Sequence, residues 1–324
     1  MRALIVTSMW PSPAAPARGS FVRDQVDALR ALGGVEVEVF AFPPKGYARA
    51  ARDLRRRYRR ERFDVVHAHF GLTAWPALAV RRAKRVVTLH GTDLRHPRSR
   101  RITRAALPRY DLIAAVSPEL AREVPGASAK RGVAVLPCGV ALDRFRPIPR
   151  AEARTRLGLD PAGRYLLFPS DPVRPAKRPD RARELADATG AQLLSLGRVD
   201  PSEVPYFVNA ANAVVVPSDH EGFGLAVLEA LACDVPVLAT PVGNHPTALD
   251  GLPGTLCAPY DAETWRTALE PHLAAAEARV EGRARAALWS AERMARRVLE
   301  AWIEVSGASL YSPAEAPGTG AVST

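Results

Sequence analysis

Two α/β units joined by a short linker, each a parallel sheet wrapped by helices, are the architecture these 324 residues predict. Three observations carry that expectation. The chain exceeds the roughly 250–300 residues at which a single core stops growing. Short apolar runs alternate with helical patterns in both halves, which implies parallel sheets. Residues 144–150 hold two prolines and no apolar periodicity, so they read as the linker.

The elements follow in order. Residues 3–7 (ALIVT) form a first strand, and residues 20–32 a helix with Phe21, Val22, Val26 and Leu29 on one side. Further strands are expected at 35–40, 64–67, 85–89, 112–116 and 133–136. The second half repeats the scheme with strands at 165–168, 192–196, 213–216 and 235–238 and helices at 177–189 and 223–232. A long final helix is expected over 286–303. Residues 306–324 are rich in Ser, Pro, Gly and Ala and read as a disordered tail. The expected division is 1–149, 150–305 and this tail.

Composition is that of a globular protein, with 47% apolar and 24% charged residues. The longest uncharged stretch, 65–80, contains His67, His69 and Pro76 and is too short and polar to span a bilayer. No signal-peptide pattern follows Arg2. Cys138, Cys233 and Cys257 lie far apart, which suits a reducing cytosol. The net charge of +11 is asymmetric: residues 1–150 carry +17 and residues 151–324 carry −6. The first half therefore faces something anionic.

The most informative stretch is PSDHEGFGLAVLEALA, residues 217–232. A strand ends, two glycines allow a tight turn, and a helix begins near Phe223. Its unpaired N–H groups and dipole suit a phosphate. Glu221 precedes the helix and Glu229 lies two turns inside it, about 80° away around the axis. They can reach different parts of one extended ligand, although an acidic helix start also simply complements the dipole.

With the continuation CDVPVLATPVGN, this stretch resembles the donor-binding signature of retaining GT-B glycosyltransferases of the family 4 type. Asp234 and Asn244 stand where that family commonly has Gly. The resemblance extends to about residue 305. LPCGV (136–140) with Asp143, Phe145 and Pro147 is similar to the family's entry to the linker, with Cys138 in place of Asn. DVVHAH (64–69), LHGTD (89–93) and RGSFV (18–22) are similar to its first-domain loops, with Ser20 replacing a second Gly.

The resemblance implies two Rossmann-like domains with a cleft between them and a final helix returning to the first domain. It implies transfer of a sugar from a UDP- or GDP-sugar to a hydroxyl acceptor, with retention, in cell-surface polysaccharide or glycolipid synthesis. Glu221 would bind donor-sugar hydroxyls, and the N–H groups of Phe223, Gly224 and Leu225 the diphosphate. Glu229 would bind the ribose, and Lys177 with Arg174 would neutralise the diphosphate. Arg198 would lie in the loop that packs the base. His90 would face the reacting centre, and Gly19 and Ser20 would form the acceptor-side loop. No cofactor, catalytic metal or covalent nucleophile is implied. His67 and His69 share a strand face, which makes a metal conceivable, but no third ligand is apparent.

Eight arginines fall within residues 49–62, and Arg95, Arg98, Arg100, Arg101 and Arg104 form a second run. A solvated face is one reading. Contact with anionic lipid is the other, placing a cytoplasmic enzyme on the inner face of the membrane beside a lipid-linked acceptor. The long proline-rich loop at 9–19 and the absence of a Gly-x-Gly-x-x-Gly turn argue against an NAD enzyme. Two alternatives remain. A nucleotide-sugar epimerase would interconvert the free donor without acceptor. A basic nucleic-acid-binding protein would show steep salt dependence and no nucleotide-sugar affinity, and its groove should not end in carboxylates.

Overall fold

The computed structural model describes residues 1–125, 132–197 and 199–308. The first half runs β1 (Arg2–Thr7), α1 (Ser20–Leu32), β2 (Glu36–Ala41), α2 (Tyr47–Arg57), β3 (Val65–His69) and α3 (Ala74–Ala77). It continues through β4 (Lys84–Leu89), α4 (Thr92–Arg95), α5 (Pro97–Ala106), β5 (Leu112–Ala115), α6 (Pro118–Arg122) and β6 (Val133–Val135). The second half begins α7 (Arg150–Arg156), β7 (Tyr165–Phe168), α8 (Pro179–Thr189), β8 (Gln192–Ser195), α9 (Val204–Ala210) and β9 (Ala213–Val216). There follow α10 (Leu225–Ala232), β10 (Val237–Ala239), α11 (His245–Leu249), β11 (Leu256–Cys257), α12 (Ala262–Ala274), α13 (Arg283–Ala286) and α14 (Ala291–Ser306).

The strands form two fully parallel sheets, ordered β2-β1-β3-β4-β5-β6 and β11-β10-β9-β7-β8. Strands such as β7 and β9 are buried along their whole length, as sheets covered on both faces require. Chain order reverses between β1 and β3 in one sheet and between β7 and β9 in the other. A crevice opens at such a switch point, beyond the strand carboxyl ends. The loops after β7 and β9 are the ones that carry Lys177 and Glu221.

The last helix belongs to the second half by sequence and to the first by packing. Val298, Leu299, Trp302 and Val305 of α14 join Val22, Val26 and Leu29 of α1 and Ala3 and Ile5 of β1 in one core cluster. Trp302 is fully buried, and truncating such a side chain to Ala costs about 3–5 kcal/mol. This return fastens the two halves together.

Several boundaries differ from the sequence reading. The helix expected over 286–303 is two helices, because Ser290 is extended and its side chain caps α14 by accepting from Arg293 N. The helix expected from residue 177 starts at Pro179, since Arg178 is left-handed (φ 57°) and ends a single 3₁₀ turn at Lys177. In the arginine run, α2 ends at Arg57 and turns Ala50 and Leu54 into the core. The expected tail from residue 306 overlaps the end of α14, and residues 309–324 lie outside the described residues.

Candidate donor site and the cleft

Helix α10 begins at Leu225, two residues later than the sequence reading, after Gly224 in a left-handed turn (φ 98°). A Cβ at Gly224 would collide with the His245 ring. Phe223 and Gly224 therefore form the turn, and Leu225 opens the helix. The helix is anchored by Val227, Leu228, Leu231 and Ala232, all buried. Asp234 takes a left-handed conformation (φ 56°) that Asp tolerates. Its carboxylate accepts from the backbone N–H groups of Gly282 and Arg283 at 3.0 and 2.7 Å, which caps α13. Asn244 has φ −93° and needs no glycine, since Gly243 supplies the positive φ of that loop.

Glu221 sits before this helix with its carboxylate on Lys177, whose Nζ donates to both oxygens at 2.5 Å. Ser218 Oγ donates to the same carboxylate at 2.8 Å. Both charged side chains are largely buried, 17% and 10% exposed. Burial pushes the Glu221 carboxyl up, but the Lys177 charge and these hydrogen bonds hold it below the usual carboxylate range. The sequence reading gave Lys177 and Glu221 separate partners; here each is the other's partner.

Beside them lies a cavity of 260 Å³ between the halves, lined by Ser20, Arg144, Ser170, Asp171, Arg174 and Glu229, with Leu196 and Val199 as an apolar wall. Burial pushes the Glu229 carboxyl up to about 7, against the opposing charge of Arg144, while Asp24 adds to the rise. Arg144 is forked onto Asp24 of α1 at 3.1 and 2.5 Å. Arg174 is exposed at the rim, and Gly197 lines the cavity. Arg198 lies outside the described residues. Gly19 (φ 67°) is the turn before α1, where a Cβ would collide with the Met9 carbonyl. Ser20 is then the first residue of that helix, which needs no second glycine.

His90 follows β4 on the opposite wall. Its N–H donates to Asp93 at 2.5 Å, and the other Asp93 oxygen accepts from Gly71 N at 2.8 Å, so one buried carboxylate pins two strand-end loops. The His90 ring packs on Phe21 and Phe70 and meets His69 Nδ1 through Nε2 at 3.1 Å. Gly222 lies directly against the His90 carbonyl and Gly91. Two further contacts cross the cleft: Arg95 Nη1 donates to Glu221 O at 3.0 Å, and Gly243 N donates to Glu119 at 3.1 Å. Thus His90, Lys177, Glu221 and the start of α10 gather around one cleft, with Glu229, Arg174 and Ser20 on its adjoining cavity. Sequence reasoning placed Arg95 only in the second arginine run and missed Glu119 and Arg144. The bonds these three make to Glu221, Gly243 and Asp24 span 120 or more residues, while Arg95 also pairs locally with Glu119 and Glu123. His67 and His69 do share a face, stacked at 4.6 Å, but every one of their ring nitrogens has a protein partner. Among the described residues no group of three or more His, Cys, Asp or Glu is placed to hold a metal.

A family model described as Glycosyltransferase Family 4 matches residues 4–144, and one described as Glycosyl transferases group 1 matches residues 176–287. The D-inositol 3-phosphate glycosyltransferase of Frankia alni is 33% identical over 304 residues, covering 74% of each chain. That of Actinosynnema mirum is 31% identical over 264 residues, covering 64% of this chain and 63% of its own length. Among solved structures, sucrose-phosphate synthase from Thermosynechococcus elongatus superposes with a TM-score of 0.75 at 21% identity, covering 95% of this chain and 100% of that one. Anabaena HepE in complex with UDP-glucose gives 0.67 at 17% identity, covering 94% and 100%. At these identities the structural likeness establishes the two-domain fold.

Proposed function

Because the chain belongs to the group 1 glycosyltransferases, with a family 4 first domain, we propose that it moves a sugar from a nucleotide-sugar donor to a hydroxyl acceptor with retention at the anomeric carbon. The observation that carries this reading is the Lys177–Glu221 pair before α10, in the same cleft as the cavity that Arg174 and Glu229 line. A cation and a helix start suit a diphosphate that gains charge as it leaves. Glu221 then meets the donor sugar and Glu229 the ribose. Since Lys177 and Glu221 face each other, donor binding draws the lysine toward phosphate and frees the carboxylate for sugar hydroxyls. Residues 1–149 present the acceptor, residues 150–305 hold the donor, and His90 faces the reacting centre.

The acceptor is anionic or held at an anionic surface in this reading. The +17 charge of the first 150 residues exceeds what a donor bound to the other half needs. Arg55, Arg56, Arg59 and Arg60 are exposed, as are Arg98, Arg100, Arg101 and Arg104 around the exposed Ile102 and Trp75. That surface suits a lipid-linked acceptor at the inner face of the membrane. The name of the Frankia relative makes a phosphorylated polyol the soluble competitor. No described helix is long and apolar enough to cross a membrane.

A thermal-shift screen of nucleoside diphosphates and nucleotide sugars tests the donor. A ligand at 100 times its Kd adds about 2.7 kcal/mol, so a true donor is expected to raise Tm clearly. Product NMR then reads the anomeric configuration. An inverted product refutes retention, and interconversion of free nucleotide sugar without acceptor makes the protein an epimerase.

A further inference from the structure

Three imidazoles, His67, His69 and His90, lie together at the base of the cleft, and the orientation of their neighbours assigns a place to each proton. The indole N–H of Trp302 can only donate, and it meets His67 Nδ1 at 3.1 Å. His67 therefore carries its proton on Nε2 and donates to Thr88 Oγ1 at 2.7 Å. In its orientation here the Gln25 amide turns its nitrogen, which can only donate, to His69 Nε2 at 3.4 Å. His69 then carries its proton on Nδ1, which donates to His90 Nε2 at 3.1 Å. Only one nitrogen of the three rings has no protein partner among the described residues: Nδ1 of His90. Nor is that atom fully buried.

Burial keeps all three rings neutral, with His69 pushed down to about 3 and His67 and His90 well below their ordinary value. His69 and His90 hydrogen-bond to each other, His69 also meets Gln25, and His67, stacked on His69, bonds Trp302 and Thr88; none of the three rings bonds a carboxylate among the described residues. A neutral ring has one donor and one acceptor, so its hydrogen bonds choose the tautomer.

We propose that Gln25 and His69 are positioning residues that hold His90 as its Nδ1–H tautomer, a hydrogen-bond donor presented to an oxygen of the nucleotide sugar in the cleft. The assignment of that oxygen to a nucleotide sugar rests on the transfer reading above. The opposite tautomer would aim a lone pair at the same oxygen. Packing between Phe21 and Phe70 fixes the ring plane, so the tautomer decides whether the contact attracts or repels.

Long-range 1H–15N spectra of the ligand-free protein report which nitrogen of each ring is protonated. The expected result is Nε2 for His67 and Nδ1 for both His69 and His90. A wild-type His90 protonated on Nε2 overturns the proposal. Two variants supply the kinetic arm. His69→Asn keeps an N–H near the place of Nδ1, and is expected to retain both the His90 tautomer and most of kcat/KM. His69→Phe keeps the ring and removes the donor, and is expected to lower kcat/KM about tenfold, as for one lost hydrogen bond. Equal losses in the two variants, with His90 still protonated on Nδ1 in both, overturn it too. The spectra need no substrate, so a wrong tautomer sinks this inference, whereas a protein that transfers no sugar sinks the reading beneath it.

Discussion

Lys177 and Glu221 form a close ion pair in which each side chain is mostly withdrawn from water, so the worth of either depends on the other. Lys177→Met leaves a buried carboxylate unpaired and is expected to cost about 3 kcal/mol, at the low end for breaking a buried pair. The double variant Lys177→Met/Glu221→Gln should lose less, because no charge is stranded. Urea unfolding of the two variants measures this, and equal losses would contradict the stranded charge as the source of the cost. Glu229 makes a separate statement through pH. Its carboxyl is raised from 4.5 to about 7 in the fold, so between those values the folded chain holds a proton that the unfolded chain releases. Stability should therefore fall as pH rises through that window, and Glu229→Gln should flatten the slope. A urea midpoint with the same pH slope in both proteins would contradict the assignment.

At the scale of elements, the turn from β9 into α10 is pressed against the loop after β4. Gly222→Ala places a Cβ on the His90 carbonyl. Nucleoside diphosphate affinity should fall, since the turn proposed to hold the diphosphate begins at the next residue. Turnover should fall about a hundredfold, because a displacement of about 1 Å near the reacting groups has that effect. Unchanged turnover would show that this contact does not set the cleft. The strands were legible in the sequence because buried parallel strands read as continuous apolar runs, as at residues 213–216. Glu221 and Lys177 were legible because they sit after strand ends, where chemistry gathers, and Glu229 because it lies in the helix that follows one of those loops. The one-turn helices α3, α4 and α6 were not, being too short to show a period of 3.6. Nor were the partners. Nothing local to Gln25 marks it as the neighbour of His69, and nothing local to Arg95 points to the Glu221 carbonyl 126 residues away.

For the whole molecule, the two halves divide the charge as they divide the proposed task. The arginine-rich outer face of the first half, with Trp75 and Ile102 exposed beside it, should bind anionic but not neutral vesicles. Each Lys or Arg near such a surface contributes on the order of 1 kcal/mol, fading within a Debye length. Flotation at physiological salt checks this, with release expected in high salt and weaker binding when Arg55, Arg56, Arg59 and Arg60 become Glu. A wild type that stays soluble beside anionic vesicles would favour a soluble anionic acceptor instead. The central claim is that one cleft receives a nucleotide sugar lengthwise, ribose at Glu229 and sugar at Glu221. Calorimetric titration of the nucleoside diphosphate found in the screen tests it most directly. Above about pH 8, where the Glu229 carboxylate is charged, Glu229→Ala should weaken binding by roughly 1.5–3 kcal/mol, the worth of a charge-assisted hydrogen bond, while Glu221→Ala, which frees Lys177 for the phosphate, should not weaken it but should impair sugar transfer. Equal losses of nucleoside diphosphate affinity in both variants would contradict it.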